Sequence, residues 1–310
     1  MKHIFLSLLC ICTMLAKAQD SGAVHLADPA IFLHNGMYYL YGTVEGRAGE
    51  GFQVYTSTGL AQWTLSAKNG GYALKKGDAF GTAGFWAPQV FQYRDSFYMA
   101  YVANESIAVA VATDPLGPFT QRVKEPLAAP VRQIDPFVFM DEGKIYLYHV
   151  RLTGGNKIFV AEMTDDLAAI RPETLRESII ATDQWENTAN TKWPVTEGPS
   201  VFKHNGLYYL VYTANDFRHP DYAVGYATSK SPLGPWEKYS GNPVLHKNMI
   251  SQHGTGHGDF FRDNNGGLQY VFHTHYSLTK VGPRRTAILK ASLNGNRLVM
   301  DAGSFQFLKQ

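Results

Sequence analysis

The first of five related segments reads Asp28-Pro29-Ala30-Ile31-Phe32, then Asn35-Gly36, then Met37-Tyr38-Tyr39-Leu40-Tyr41. Two apolar runs joined by Asn-Gly predict a β-hairpin, because both turn residues accept the positive φ that a tight turn needs. Four more segments repeat the pattern, the last in degenerate form: Ala87-Pro88-Gln89-Val90-Phe91, Asp135-Pro136-Phe137-Val138-Phe139, Gly198-Pro199-Ser200-Val201-Phe202 and His257-Gly258-Asp259-Phe260-Phe261. The proline position falls at 29, 88, 136, 199 and 258, so the spacings are 59, 48, 63 and 59 residues. A hairpin repeated at this period predicts an all-β, five-bladed β-propeller.

The start of the chain has a different character. Lys2, an apolar run over residues 4–15, and Ala16-Lys17-Ala18 form the three regions of a secretory signal. We therefore expect residues 1–18 to be a signal peptide cleaved near Ala18, and residues 19–310 to form one propeller domain. The mature protein is then secreted or periplasmic. The apolar run is too short to span a bilayer, so no membrane association is expected.

Cysteine content and charge narrow the possible functions. Cys10 and Cys12 both lie in the leader, so neither disulfide nor thiol chemistry is expected in the mature chain. The chain has 28 basic and 26 acidic residues, and loss of Lys2 and Lys17 leaves 26 of each. A chain with no net positive charge has no general attraction for nucleic acid or anionic lipid, so neither is expected as a partner.

Three acidic residues occupy the start of repeats one, three and four. In a propeller the innermost strand of each blade lines the axis, so Asp28, Asp135 and Glu197 should meet around one cavity. Like charges at close range and partial desolvation raise at least one carboxyl pKa. Such a group suits acid/base catalysis, in which one carboxylate activates water and a protonated one donates to a leaving oxygen. Inverting hydrolysis of a glycoside uses two carboxyl groups about 6.5–9.5 Å apart.

The motifs around these acids extend over nearly the whole mature chain. They are the Asp-Pro-x-[Ile/Val]-Phe opening with Asn-Gly-x-Tyr-Tyr, Phe85-Trp86-Ala87-Pro88, Ile134-Asp135-Pro136, Thr196-Glu197-Gly198-Pro199 and Gly254-Thr255-Gly256-His257. Together they resemble glycoside hydrolase family 43.

The resemblance implies a catalytic five-bladed propeller that hydrolyses plant-type polysaccharides or oligosaccharides by inversion, with exo or debranching action. It implies that Asp28 is the general base, Glu197 the general acid, and Asp135 the acid that tunes and orients Glu197. An α-L-arabinofuranosidase or β-xylosidase is favoured, and an exo-β-galactosidase or galactanase of the same fold is an alternative. No cofactor is required for the chemistry, and the oligomeric state is not predicted.

Substrate-binding residues are assigned with competing interpretations. Trp86 and Phe85 are predicted as a sugar-stacking platform; the alternative is that they belong to the core, and this alternative is favoured for Phe85. Arg285 is placed by the resemblance as a substrate-binding arginine, with Arg284 as its competitor. The other interpretation is that Arg285 is an exposed arginine with no role in substrate binding.

Four histidines, His253, His257, His273 and His275, cluster in blade five. His273 and His275 alternate along one strand and so share a face, which allows a zinc site and a zinc hydrolase. The resemblance instead implies that His257 lies on the axis near a water-coordinated structural calcium, and this interpretation is favoured. A sugar-binding propeller without catalytic activity is also possible in principle, but the three intact acids argue against it.

Overall fold

The computed structural model describes residues 22–310. The predicted signal peptide lies outside the described residues. Within them, no helix has both the length and the apolar character needed to cross a membrane.

Nearly all regular structure is β. In chain order the strands are β1 (Leu26–His34), β2 (Met37–Val44), β3 (Gly51–Gln53), β4 (Tyr55–Ser57), β5 (Thr64–Leu65), β6 (Tyr72–Lys75), β7 (Trp86–Tyr93), β8 (Ser96–Ala103), β9 (Ser106–Ala112), β10 (Gln133–Asp141), β11 (Lys144–Leu152), β12 (Asn156–Glu162), β13 (Arg176–Ile179), β14 (Thr196–His204), β15 (Leu207–Ala214), β16 (Ala223–Ser229), β17 (Glu237–Lys238), β18 (Gly256–Arg262), β19 (Leu268–Thr274), β20 (Arg285–Asn294) and β21 (Arg297–Phe307). The helical elements are α1 (Lys247–Ile250) and the 3-10 turns Lys68–Gly71, Pro172–Thr174 and Gln184–Asn187.

Five antiparallel sheets form the five predicted blades. Their strand orders are β1-β2-β4-β5, β7-β8-β9, β10-β11-β12-β13, β14-β15-β16-β17 and β18-β19-β20-β21, and β3 pairs separately with β6. The first strands form a closed ring, since β1 contacts β7 and β18, β10 contacts β7 and β14, and β14 contacts β18. The prediction of a five-bladed propeller is confirmed.

The Asn-Gly turns behave as the sequence predicts. Asn35 and Gly36 have φ values of 49° and 77°, and the strands they join pair from His34 and Met37 onward. Asn205 and Gly206 repeat this at 49° and 75°. Two successive residues of positive φ give the turn whose twist matches a hairpin, so each inner hairpin is specified locally.

A bulge recurs near the start of every first strand. Strand register shifts at this point in all five blades. The residue before the proline position has a φ of 49° at Asp28, 45° at Ala87, 54° at Asp135, 58° at Gly198 and 43° at His257. Left-handed backbone costs about 1–2 kcal/mol for a residue with a side chain. Bulges of this kind redirect side chains, and here they do so at the strand ends that surround the axis.

The apolar core is divided among the blade interfaces. Buried side chains of the described chain form five clusters, one between each pair of neighbouring blades. The interface between blades five and one is also closed by main-chain bonds, because Val24 donates to Leu308 O and Thr286 donates to Val24 O, both at 3.0 Å. Apolar burial therefore holds the blades together and leaves the axis for polar side chains.

Candidate active site

The three predicted acids meet at one end of the axis. Asp28 on β1, Asp135 on β10 and Glu197 on β14 line one cavity of about 400 Å³. Asp135 is 6% exposed and Glu197 8% exposed. The cavity is within the size range of small-molecule sites, and its lining includes carboxyl groups that are largely withdrawn from water.

Asp28 is surrounded by donors. Its Oδ2 accepts a 2.6 Å hydrogen bond from Thr43, and its Oδ1 lies 3.2 Å from Arg284 Nη1 and 3.3 Å from His257 Nδ1. Its main-chain N–H donates to His273 Nδ1 at 3.1 Å. Burial raises the pKa of Asp28, but Arg284, the two histidines and Thr43 together lower it well below its ordinary value. Asp28 is therefore an ionised carboxylate able to accept a proton from water.

Glu197 has the opposite electrostatic setting. Its Oε1 accepts from the Tyr222 hydroxyl at 2.8 Å and its Oε2 from Asn156 Nδ2 at 2.9 Å. Burial and the nearby Asp135 raise the pKa of Glu197 to about 7, although His257 and both hydrogen bonds oppose the shift. Glu197 is thus largely protonated in weakly acidic solution, which a proton donor requires.

Asp135 interacts electrostatically with both other acids. Its Oδ2 accepts from the main-chain N–H of Gly198 at 3.1 Å and is 3.8 Å from His257 Nδ1. Burial and Asp28 raise the pKa of Asp135 to about 8. Because Asp135 itself raises the pKa of Glu197, its position matches a residue that adjusts the protonation of the acid.

The arginine prediction needs a correction. Arg284, not Arg285, lines the cavity. Arg284 bonds Asp28 and donates from Nε to Glu45 at 2.5 Å, and its guanidinium lies 4.6 Å from the Phe217 ring. Arg285 opens β20 and lies over the Phe307 ring at 3.4 Å. Neighbouring residues on an extended chain point to opposite sides, so only one of the two arginines can reach the axis.

The aromatic platform is also revised. Trp86 is half-buried and lines the cavity, as predicted. Phe85 is fully buried and packs against Phe52 and Tyr101, with ring centroids 5.8 and 6.1 Å away. Phe85 is therefore a core residue between blades one and two, as the favoured alternative predicted, and it does not belong with Trp86 at the cavity.

The blade-five histidines are engaged with the protein. His273 is fully buried and accepts from Asp28, while His275 bonds the Phe217 carbonyl through Nε2 at 2.8 Å. Across residues 22–310, no group of three or more His, Cys, Asp or Glu side chains is arranged to hold a metal ion. His257 lies on the axis as expected and borders a second cavity of about 30 Å³ behind the acids, also lined by Asp259.

Sequence reasoning missed several residues of the site. Tyr222 and Asn156 bond Glu197, and Trp193 and Phe217 also line the cavity. Trp193 and Phe217 lie on connections without strand period, so no repeat pattern marks them. Tyr222 immediately precedes β16, where the repeated motif does not reach.

Comparison with known proteins identifies the chain. The sequence model described as "Glycosyl hydrolases family 43" matches residues 22–295. The chain belongs to glycosyl hydrolase family 43. As a member of this family it is a glycosidase, and its motifs, propeller and acids agree with that membership.

Individual relatives agree with the family. A crystal structure described as an endo-1,4-beta-xylanase from Bacteroides thetaiotaomicron VPI-5482 is 41% identical with a TM-score of 0.86, covering 94% of this chain and 99% of that one. Beta-D-galactofuranosidase xynD of Aspergillus niger is 26% identical, over 81% of this chain and 74% of its own length. Arabinoxylan arabinofuranohydrolase of Bacillus subtilis is 28% identical, over 68% of this chain and 48% of its own length. This chain thus matches about half of the Bacillus protein.

Proposed function

We propose that this family 43 glycosidase hydrolyses terminal or branching sugar residues of plant-type polysaccharides by a single displacement with inversion. The observation that carries the proposal is the division of protonation among three converging carboxyl groups. Asp28 is held ionised, whereas the pKa of Glu197 is raised to about 7. A base and an acid with separated pKa values are what inverting hydrolysis needs.

The mechanism follows from these two states. Asp28 takes a proton from a water molecule as the water oxygen bonds to the anomeric carbon. The bond from that carbon to the leaving oxygen breaks, and Glu197 gives its proton to that oxygen. Burial, with Asp135 as a neighbouring acid, favours the protonated form of Glu197 beforehand, and Arg284 bonds the Asp28 carboxylate. The products are a sugar of inverted configuration and an alcohol, with Asp28 protonated and Glu197 ionised.

The proposed substrate class comes from the relatives and the cavity. Relatives are named as xylosidase/arabinosidase, beta-xylosidase and exo-alpha-(1->5)-L-arabinofuranosidase. Asp28, Asp135 and Glu197 line a cavity of about 400 Å³, which has room for a small number of sugar units. We therefore favour α-L-arabinofuranosyl or β-D-xylosyl substrates, met outside the cytoplasm after removal of the leader, and a water-held structural calcium near His257.

Two other specificities have specific support. The relative described as an endo-1,4-beta-xylanase favours internal cleavage of xylan, and the galactofuranosidase favours a β-D-galactofuranosyl substrate. A panel of 4-nitrophenyl α-L-arabinofuranoside, β-D-xyloside, β-D-galactofuranoside and β-D-galactopyranoside, followed by product analysis on xylan and arabinan, separates them. Release of monosaccharide from an aryl glycoside and from a polymer supports the proposal. Release of only longer oligosaccharides from xylan would show endo action instead.

A further inference from the structure

Trp193 is a large apolar side chain left partly open at the cavity wall. Its relative exposure is 45%, and it lines the same cavity as Glu197. It lies on the connection between the 3-10 turn Gln184–Asn187 and β14. Asn187 closes this connection by accepting from Thr191 N and donating to Thr191 O, and Thr191 Oγ1 donates to the Trp193 carbonyl. The indole is therefore held on an ordered loop.

The indole nitrogen is connected to Glu197 through one amide. Trp193 Nε1 donates to Asn156 Oδ1 at 2.9 Å, and Asn156 Nδ2 donates to Glu197 Oε2 at 2.9 Å. An indole N–H can only donate, whereas an amide can face either way. Because the Trp193 N–H needs an acceptor, the amide oxygen of Asn156 faces Trp193 and the amide N–H of Asn156 faces Glu197. Trp193 thus determines which end of Asn156 the carboxyl group meets.

Main-chain hydrogen bonds hold Asn156 close to the loop that carries Trp193. Asn156 N donates to Pro194 O at 2.9 Å, and Thr196 Oγ1 donates to Asn156 O at 3.1 Å. Gly155 has a φ of 137°, and a Cβ at this position would lie 2.7 Å from Pro194 O. The start of β12 and the Trp193 loop can approach this closely because residue 155 is glycine.

The position of Trp193 also indicates which part of a substrate it meets. A general acid must face the leaving oxygen, and the hydrogen bonds of Trp193 lead to Glu197, the acid, rather than to Asp28, the base, which favours the leaving-group side for its ring. An exposed aromatic ring there can pack against the apolar face of a sugar. We propose that Trp193 is a positioning residue of the leaving-group side: its ring supports the departing sugar, and its N–H, through Asn156, orients the carboxyl group of Glu197. This inference rests on the proposed role of Glu197 as the acid.

Trp193→Phe is the informative variant, because it keeps an aromatic ring and removes the donor. Two substrates with the same terminal sugar, α-L-arabinofuranose or β-D-xylose, separate loss of proton donation from other effects. One is an oligosaccharide, whose leaving group needs a proton. The other is a 2,4-dinitrophenyl glycoside, whose leaving group does not. We expect kcat to fall about tenfold on the oligosaccharide, the usual scale for one lost hydrogen bond, and to change less than about twofold on the dinitrophenyl substrate. KM for the oligosaccharide should change little in Trp193→Phe and rise in Trp193→Ala.

The pH profile gives an independent readout. The Asn156 N–H lowers the pKa of Glu197, so losing its alignment should move the alkaline limb of kcat/KM upward. Other groups acting on Glu197 are Asp135, His257 and Tyr222, with Arg218 also coupled to it, and none of them is changed. Asn156→Ala should give the same shift, and adding Trp193→Phe to it should have no further effect on the limb, since both act through one contact.

A matched control is Trp236→Phe. The Trp236 indole nitrogen is buried without a hydrogen-bond partner within residues 22–310, and the residue lies outside the cavity. Its kinetics should match wild type. The inference would be overturned if Trp193→Phe left the alkaline limb of kcat/KM unshifted and lowered kcat equally on the oligosaccharide and the dinitrophenyl substrate. If Glu197→Gln itself left oligosaccharide hydrolysis intact, the proposed function would fail instead, so the two failures are distinguishable.

Discussion

Replacing Glu197 with Gln is expected to abolish turnover on natural substrates and yet to stabilise the fold above neutral pH. The pKa of this group rises from 4.5 to about 7 on folding, through burial and the neighbouring Asp135. A carboxyl group with a raised folded pKa favours its protonated form, so the ionised form costs stability. The loss of unfolding free energy caused by ionising Glu197 is therefore absent below about pH 4 and complete above about pH 7.

The size of the effect follows from the same shift. A rise from 4.5 to about 7 corresponds to about 3 kcal/mol of unfolding free energy, at about 1.4 kcal/mol per pKa unit. Gln keeps both hydrogen bonds, because its carbonyl can accept from Asn156 and its N–H can donate to the Tyr222 oxygen. We expect a gain of about 1–3 kcal/mol near pH 8 and no gain near pH 4.

Glu186 provides the matched control. It is also a buried glutamate, but Lys238 Nζ lies 2.6 Å from its Oε2, which also accepts from the main chain of Thr182 and Asp183. Its Oε1 accepts from Tyr212 at 2.6 Å. Glu186→Gln breaks a paired buried charge, so it should lose about 3–5 kcal/mol near pH 8.

Urea denaturation of wild type and both variants at about pH 4 and pH 8 measures these differences. Turnover is measured on the same samples. The reasoning is refuted if Glu197→Gln is less stable than wild type near pH 8, or if it gains equally at both pH values.

Three further predictions address the base, the arginine and the metal. Asp28→Asn should lower kcat by about 10²–10⁴-fold in a protein that circular dichroism shows to be folded, because it removes proton acceptance from water; near wild-type turnover would contradict the assignment. Arg284→Lys should lower kcat/KM about tenfold because a bond to Asp28 is weakened, whereas Arg285→Lys should change kcat/KM less than about twofold. A larger loss in Arg285→Lys than in Arg284→Lys would indicate that Arg285 is the arginine of the site. Removal of bound metal by a chelator should lower Tm while turnover persists, since an ion that binds only the folded state stabilises that state. Loss of turnover in protein that is still folded, restored by zinc alone, would favour zinc chemistry.

The repeated hairpin made the fold and the acids predictable. Each acid lies at or beside the residue before the proline position, and a shared bulge places that part of the repeat near the axis. Asp28, Asp135 and Glu197 could therefore be brought together from sequence, because fivefold geometry converts equal repeat position into spatial proximity.

Residues outside the repeat could not be placed in the same way. Arg284 precedes β20, so the strand pattern does not show which of two adjacent arginines faces inward. Trp193 depends on the path of an irregular loop, and its bond to Asn156 joins residues 37 positions apart. Phe85 and Trp86 are chemically similar neighbours, and only packing separates the core ring from the cavity ring.

The most direct test of the central claim is the configuration of the first-formed sugar, followed by proton NMR before mutarotation. If Asp28 activates water while Glu197 protonates the leaving oxygen, the new hydroxyl enters opposite the departing group and the anomeric proton of the inverted sugar is seen first. Initial appearance of the retained anomer would mean that one of the acids attacks the sugar directly, and it would contradict the mechanism proposed for this enzyme.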